Sequence, residues 1–158
     1  MTFKIYVFGK LKERYLTEGV NDYLSRLSHY RDVEVIELKD EPEPKNASFK
    51  ELEALKEKEA ESFFKAYKQG PIMLWDETGK KYDSVAFSEL ISQLEVTHSQ
   101  DLNFVIGGSN GHAKSLKDKA TMMISLSDMT FPHGLARLII LEQFYRAFKI
   151  LKNETYHK

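Results

Sequence analysis

A chain of 158 residues with a net charge of −1 and no cysteine is sized for one domain, 1–158, burying roughly 70% of its unfolded surface, and it excludes disulfides, thiolate metal sites and cysteine nucleophiles. No run approaches the ~18 apolar residues of a membrane span, and a near-neutral charge argues against indiscriminate nucleic-acid binding, so a cytoplasmic protein is expected. The charge is uneven, with eight acidic against four basic residues from Asp40 to Glu61 and five basic against two acidic from Arg137 to Lys158.

The opening Met1 to Gly9 meets charge too soon for a signal peptide, and Phe3 to Phe8 alternates like a strand. From Lys12 to His29, Tyr15, Leu16, Val20, Tyr23, Leu24 and Leu27 recur at helical spacing. Val33 to Leu38 alternates again as a second strand. The two prolines of Asp40 to Asn46 fit neither a helix interior nor a central strand, so this acidic segment is a loop. Ser48 with Glu51 is a capping-box signature opening a charged helix to about Lys68. Gly70-Pro71 ends it, Ile72 to Trp75 is a buried strand, and Asp76 to Gly79 is a turn. Ser84 caps a helix to about Leu94. A strand at Leu102 to Ile106, a short helix at Lys114 to Ala120, a strand at Met122 to Leu126 and a long helix at Gly134 to Lys152 complete the chain. Strands alternate with helices throughout, which predicts an α/β domain whose mainly parallel sheet carries helices on both faces.

Two loops concentrate the chemistry. Gly107-Gly-Ser-Asn-Gly-His112 follows one strand and Ser127-Asp-Met-Thr-Phe-Pro-His133 follows the next. The carboxyl ends of strands are where open α/β sheets place ligands. Glycines let the backbone approach a ligand closely, although the same residues also suit an ordinary strand-to-helix turn. The spacing fits neither the dinucleotide fingerprint, which needs G-x-G-x-x-G after an early strand, nor a Walker loop, because Gly111 stands three residues from Lys114. No metal site is expected, since no two histidines stand at i,i+4. His29, His98 and His112 read as surface residues.

Four blocks in order, Val105 to His112, Leu126 to His133, Glu142 to Lys149 and Tyr156-His-Lys158, resemble the RlmH family of the SPOUT superfamily, the bacterial 23S rRNA (pseudouridine-N3)-methyltransferases. Gly9-Lys-Leu-Lys12 with Tyr15 is similar too, so the resemblance spans the chain. It implies a C-terminal trefoil knot, S-adenosylmethionine as methyl donor, a homodimer with the substrate site built across its interface, and 23S rRNA as substrate; the assembled 70S ribosome is expected rather than free RNA, because a chain of this size and net charge offers little surface for non-specific binding.

Carried over by motif, the cofactor would lie against Trp75, Gly107, Gly108 and the run Leu126, Ser127, Asp128, Met129, Thr130 and Phe131. The family usually has leucine at the position of Trp75, so this ring is either an apolar wall for adenine or a core side chain. Arg146 would contact substrate phosphate or base, the alternative being an i,i+4 ion pair with Glu142. His133 would line the knot loop in a catalytic or structural role. Tyr156 and His157 would close over the substrate, His157 as proton acceptor or phosphate contact. A SPOUT methyltransferase acting on another RNA, a non-catalytic RNA- or adenosyl-ligand-binding module and a nucleotide hydrolase are the rival readings.

Overall fold

The computed structural model describes residues 1–158. Strands β1 (Phe3–Phe8), β2 (Val33–Leu38), β3 (Ile72–Lys81), β4 (Leu102–Ile106) and β5 (Met122–Ser125) alternate with helices α1 (Arg14–Leu27), α2 (Phe49–Ala66), α3 (Ser84–Thr97), α4 (Lys114–Lys119) and α5 (His133–Leu151). The strands form one sheet in the order β2-β1-β4-β3-β5, and every neighbouring pair is parallel. Alternate side chains of a strand point to opposite faces. Phe3, Ile5, Val7, Phe104 and Met73 therefore pack under α1, α3 and α5. Tyr6, Phe8, Val105 and Leu74 pack under α2 and α4. Both faces are covered, as the near-continuous apolar strands of a parallel sheet require. Phe144 of α5 anchors the larger core, its ring 4.8 Å from Phe104 and 5.5 Å from Phe87.

The helix boundaries follow local chemistry. Ser48 Oγ accepts from Glu51 N at 3.1 Å while the Glu51 carboxylate accepts from Ser48 N at 3.5 Å, which is the expected capping box. α1 begins at Arg14 rather than Lys12. The cap of α3 is Asp83, whose carboxylate accepts from Ala86 N at 2.8 Å, and not Ser84. An ionised oxygen outcompetes a hydroxyl for the free N–H groups of a first turn.

The turn expected at Asp76 to Gly79 is instead an excursion inside β3. Trp75 and Lys80 both pair with Ile124, so the residues between them bulge out before the strand rejoins β5. Asp76 makes the bend locally, accepting from Thr78 N at 2.9 Å and from the Thr78 hydroxyl at 2.5 Å. Gly79 permits the return, because a Cβ there would lie 2.5 Å from Ile124 N. The excursion puts Asp76, Glu77 and Thr78 at the carboxyl edge of the sheet, beside the loops that leave β4 and β5.

Candidate active site

These three segments enclose a cavity of about 690 Å³, inside the usual range for small-ligand sites. Trp75, Ile106 and Ile140 give it apolar walls, while Asp76, Glu77, Lys56 and Lys117 bring both signs of charge. Of the sequence-expected cofactor residues, Trp75, Gly107, Gly108, Leu126 and Ser127 line this cavity, as do Met129, Thr130 and Phe131, and His133, expected to have a catalytic or structural role in the knot loop, lies in its lining too. Asp128 does not, because its carboxylate turns outward to an ion pair with Lys81 and is 80% exposed. Ser127 Oγ accepts from Met129 N at 3.0 Å, which shapes the loop that carries these residues.

The glycine loop is held from both sides. A Cβ on Gly107 would lie 3.1 Å from the His112 ring and one on Gly108 would lie 3.2 Å from the Glu59 carboxylate. Gly108 and Gly111 form an isolated bridge, and Gly111 takes φ +81°, a conformation open chiefly to glycine. His112 is buried at 4% exposure, contrary to its expected place on the surface. Its Nε2 donates to the Trp75 carbonyl at 2.9 Å, tying the loop to the end of β3. Burial drives its pKa down against that hydrogen bond and the nearby Asp76 carboxylate, so it serves as a neutral strut. Sequence spacing gave no sign of this, since a lone histidine after glycine carries no pattern.

Two carboxylates near the loop are pushed in opposite directions. Burial and then the Asp40 and Glu41 charges raise Glu59 to about 7. Burial acts on Asp76 too, but the Thr78 hydroxyl and N–H, with Lys117 at 3.6 Å, outweigh it and hold Asp76 below the ordinary range. Asp76 is therefore a fixed negative charge in the cavity wall.

The C-terminal residues meet away from this cavity. Arg146 lies six residues beyond the cavity residue Ile140, about 9 Å along the helix. Its Nη2 donates to Glu142 Oε1 at 2.5 Å and its Nη1 donates to His157 Nδ1 at 3.2 Å. The guanidinium also sits 4.8 Å from the Tyr156 ring centroid. The ion pair and the contact to the tail thus coexist, and both readings of Arg146 describe the same side chain.

A tail past a last helix is usually loose, but here the chain is turned back. Asn153 takes φ +53°, Glu154 N donates to Lys149 O at 2.9 Å and the Glu154 carboxylate accepts from Tyr30 at 2.5 Å. Tyr156 then packs edge-on against Tyr145 at 4.9 Å and its hydroxyl donates to Glu142 Oε1 at 3.0 Å. Burial and the Tyr23 and Glu142 partners push the Tyr156 pKa well up, so its hydroxyl is a donor and not a base. Arg137, counted by sequence among the basic residues of this end, is withdrawn from the surface. It is 3% exposed, paired with Glu37 at 3.1 Å and donating to Gly9 O at 3.1 Å.

The model of the family described as predicted SPOUT methyltransferase matches residues 1–157. A ribosomal RNA large subunit methyltransferase H from Ruminiclostridium cellulolyticum is 45% identical, with the whole of each chain covered, and one from Enterococcus faecalis is 41% identical over the same extent. Among solved structures, the tRNA (m1G37) methyltransferase from Aquifex aeolicus shares the fold at a TM-score of 0.51 and 13% identity, covering 92% of this chain and 70% of its own. Full-length likeness at 41% and 45% identity to these relatives, with the family model matching residues 1–157, makes this chain a member of the SPOUT methyltransferases and, within them, of the ribosomal RNA large subunit methyltransferase H proteins.

Proposed function

We propose that the chain, acting as a single domain within a homodimer, methylates N3 of a pseudouridine in 23S rRNA of the assembled 70S ribosome with S-adenosylmethionine as donor. The observation that carries the reading is the loop cavity at the carboxyl edge of β3, β4 and β5, walled by apolar side chains and bearing both signs of charge. That mix suits an adenosyl group joined to a zwitterionic amino acid: Trp75, Leu126 and Phe131 would face the adenine, Lys56 and Lys117 the carboxylate, and Asp76 the cationic end. The relatives' names supply the large-subunit rRNA, and a ribosomal substrate sets the reaction in the cytoplasm.

S-adenosylmethionine supplies an electrophilic methyl group, whose bonding pair stays on sulfur as the N3–C bond forms. The chain's own task is to align the base and remove the N3 proton. Arg146 would stabilise the anionic imide, with its charge desolvated by the Tyr156 ring. His157 Nδ1 accepts from Arg146 and would take the proton, or hand it to water, once the base enters. Tyr156 keeps Glu142 and Arg146 in register, and His133 would contact substrate at the mouth of the cavity.

Dimerisation is part of the proposal. Arg146 and the tail do not reach the cavity of their own chain, while Leu135 and Ile139 of α5 remain only partly buried. A second copy seated on α5 would cover them and offer its Arg146 and His157 to the neighbouring cavity. The trefoil threading is proposed with it. It is supported by the sheet order, in which the chain passes from β4 across β3 to build β5 at the edge and then returns through α5. The test is tritiated S-adenosylmethionine with 70S ribosomes from a strain lacking the activity. Label on one pseudouridine is expected, with little on free rRNA. Mixing Arg146→Ala with a cavity-blocked variant should restore activity neither has alone.

A further inference from the structure

Beside the cofactor cavity lies a second one of about 350 Å³, between the start of α3 and the middle of α5. Trp75, Leu126, Ser127 and Phe131 line both spaces, so the two cavities adjoin. The smaller cavity is ringed by aromatic side chains, Tyr82 and Phe87 besides Trp75 and Phe131, and Ser84 and Gln143 provide polar groups. Enzymes that act on a base must take it out of its stack and hold it between aromatic faces while reading its polar edge. This lining has both elements.

We propose that the smaller cavity receives the extruded target pyrimidine and that Gln143 holds the base by a carbonyl next to the reacting nitrogen. The proposal rests on the methyl-transfer reading above. The orientation of Gln143 follows from its partners. The Glu142 carboxylate accepts from Arg146 and Tyr156, and the Gln143 amide nitrogen likewise faces it, donating to Glu142 Oε2 at 2.8 Å. The carboxamide oxygen then accepts from Ser84 Oγ at 2.9 Å. One amide N–H remains free for a ligand carbonyl. With its amide fixed at both ends, the side chain is an ordered donor, which costs little reorganisation on binding.

The same carboxylate links this cavity to the tail. Gln143 bonds one Glu142 oxygen, and Arg146 and Tyr156 bond the other. A base seated against Gln143 would present its reacting nitrogen where the two cavities meet, and Glu142 would couple that seat to the Arg146 that serves the neighbouring cavity. Gln143 is thus a specificity-determining contact, distinct from the residues assigned by resemblance.

Two variants test this on the full chain. Gln143→Met removes the donor at similar size, and Ser84→Leu fills the cavity from the first turn of α3. Calorimetry with S-adenosylmethionine should give wild-type affinity for both. Single-turnover transfer to 70S ribosomes should fall about 10- to 100-fold for Gln143→Met and further for Ser84→Leu, with the KM for ribosomes little changed because most of the particle's contacts lie elsewhere. Transfer at the wild-type rate by Ser84→Leu would show the cavity to be a packing space off the path of the base. If Ser84→Leu fails to fold by circular dichroism, Gln143→Met decides alone, and an unchanged rate there overturns the proposal. Absence of transfer by the wild-type protein to any ribosome would instead sink the methyl-transfer reading itself.

Discussion

Arg146 Nη2 stands 2.5 Å from Glu142 Oε1, one helical turn away on α5, and both side chains are more than three-quarters shielded from solvent. An exposed i,i+4 pair contributes only about 0.3–0.5 kcal/mol. Here the carboxylate also accepts from Tyr156 and Gln143, so its main effect is geometric. Glu142→Gln should leave the melting free energy within about 1 kcal/mol of wild type and the cofactor affinity unchanged, while methyl transfer falls at least about tenfold. Urea titration, calorimetry and single-turnover kinetics separate these. An unaltered rate would mean that Arg146 needs no alignment.

Glu59 gives a pH signature. Its folded pKa is raised to about 7 from 4.5, so the folded state binds the extra proton between those values. Stability on this account is fully present below about pH 4.5 and declines as pH rises to about 7. Glu59→Gln should therefore stabilise the protein by on the order of 2–3 kcal/mol at pH 8 and leave it unchanged near pH 4. Chemical denaturation of both proteins at the two pH values checks the sign.

His112 acts in the opposite sense. Burial lowers its folded pKa beneath 6.5, so the unfolded chain takes up a proton first as the solution is acidified. Its contribution is present above about pH 6.5 and is lost as pH falls through the depressed folded value. His112→Gln keeps a side-chain donor for the Trp75 carbonyl, and it should flatten the stability loss as the pH falls below about 6.5. Replacement by alanine frees the glycine loop and should weaken S-adenosylmethionine binding about tenfold, as read by calorimetry.

Gly79 is a test of the excursion in β3. A methyl group there meets the Met123 and Ile124 backbone at 2.5 Å, and backbone moves less readily than a side chain. Gly79→Ala should cost about 1–3 kcal/mol and lower cofactor affinity, since the displaced segment carries Asp76 and Thr78 into the cavity wall. A fully stable Gly79→Ala protein would show that β3 and β5 part here easily.

The strands, the covered sheet faces and the two ligand loops were legible because each is written in local pattern, such as the buried run Leu102 to Ile106 or the Ser48–Glu51 box. What escaped was set by distant partners. Asp76 to Gly79 contains every mark of a reversal, yet the pairing of Trp75 and Lys80 to one Ile124 keeps the chain in the sheet. His112 looked like a surface residue because nothing nearby in sequence reveals that the Trp75 carbonyl awaits it. Gln143 stood unnoticed between Glu142 and Phe144, since its meaning depends on Ser84, 59 positions away. The motifs mark most residues of the loop cavity, but they were silent on the space next to it.

The loop cavity takes its walls from residue 56 to residue 140 and needs Ala136 and Ile140 of α5 to complete it. Chains emerge from the ribosome amino end first, so a nascent chain displays all five strands of the sheet and the entire glycine loop before the residues of α5 that complete the cavity. Ligand binding therefore rewards only the finished fold, adding about 2.7 kcal/mol at a hundredfold excess over Kd. A ligand held in this cavity would thus stabilise only those molecules whose last helix has docked.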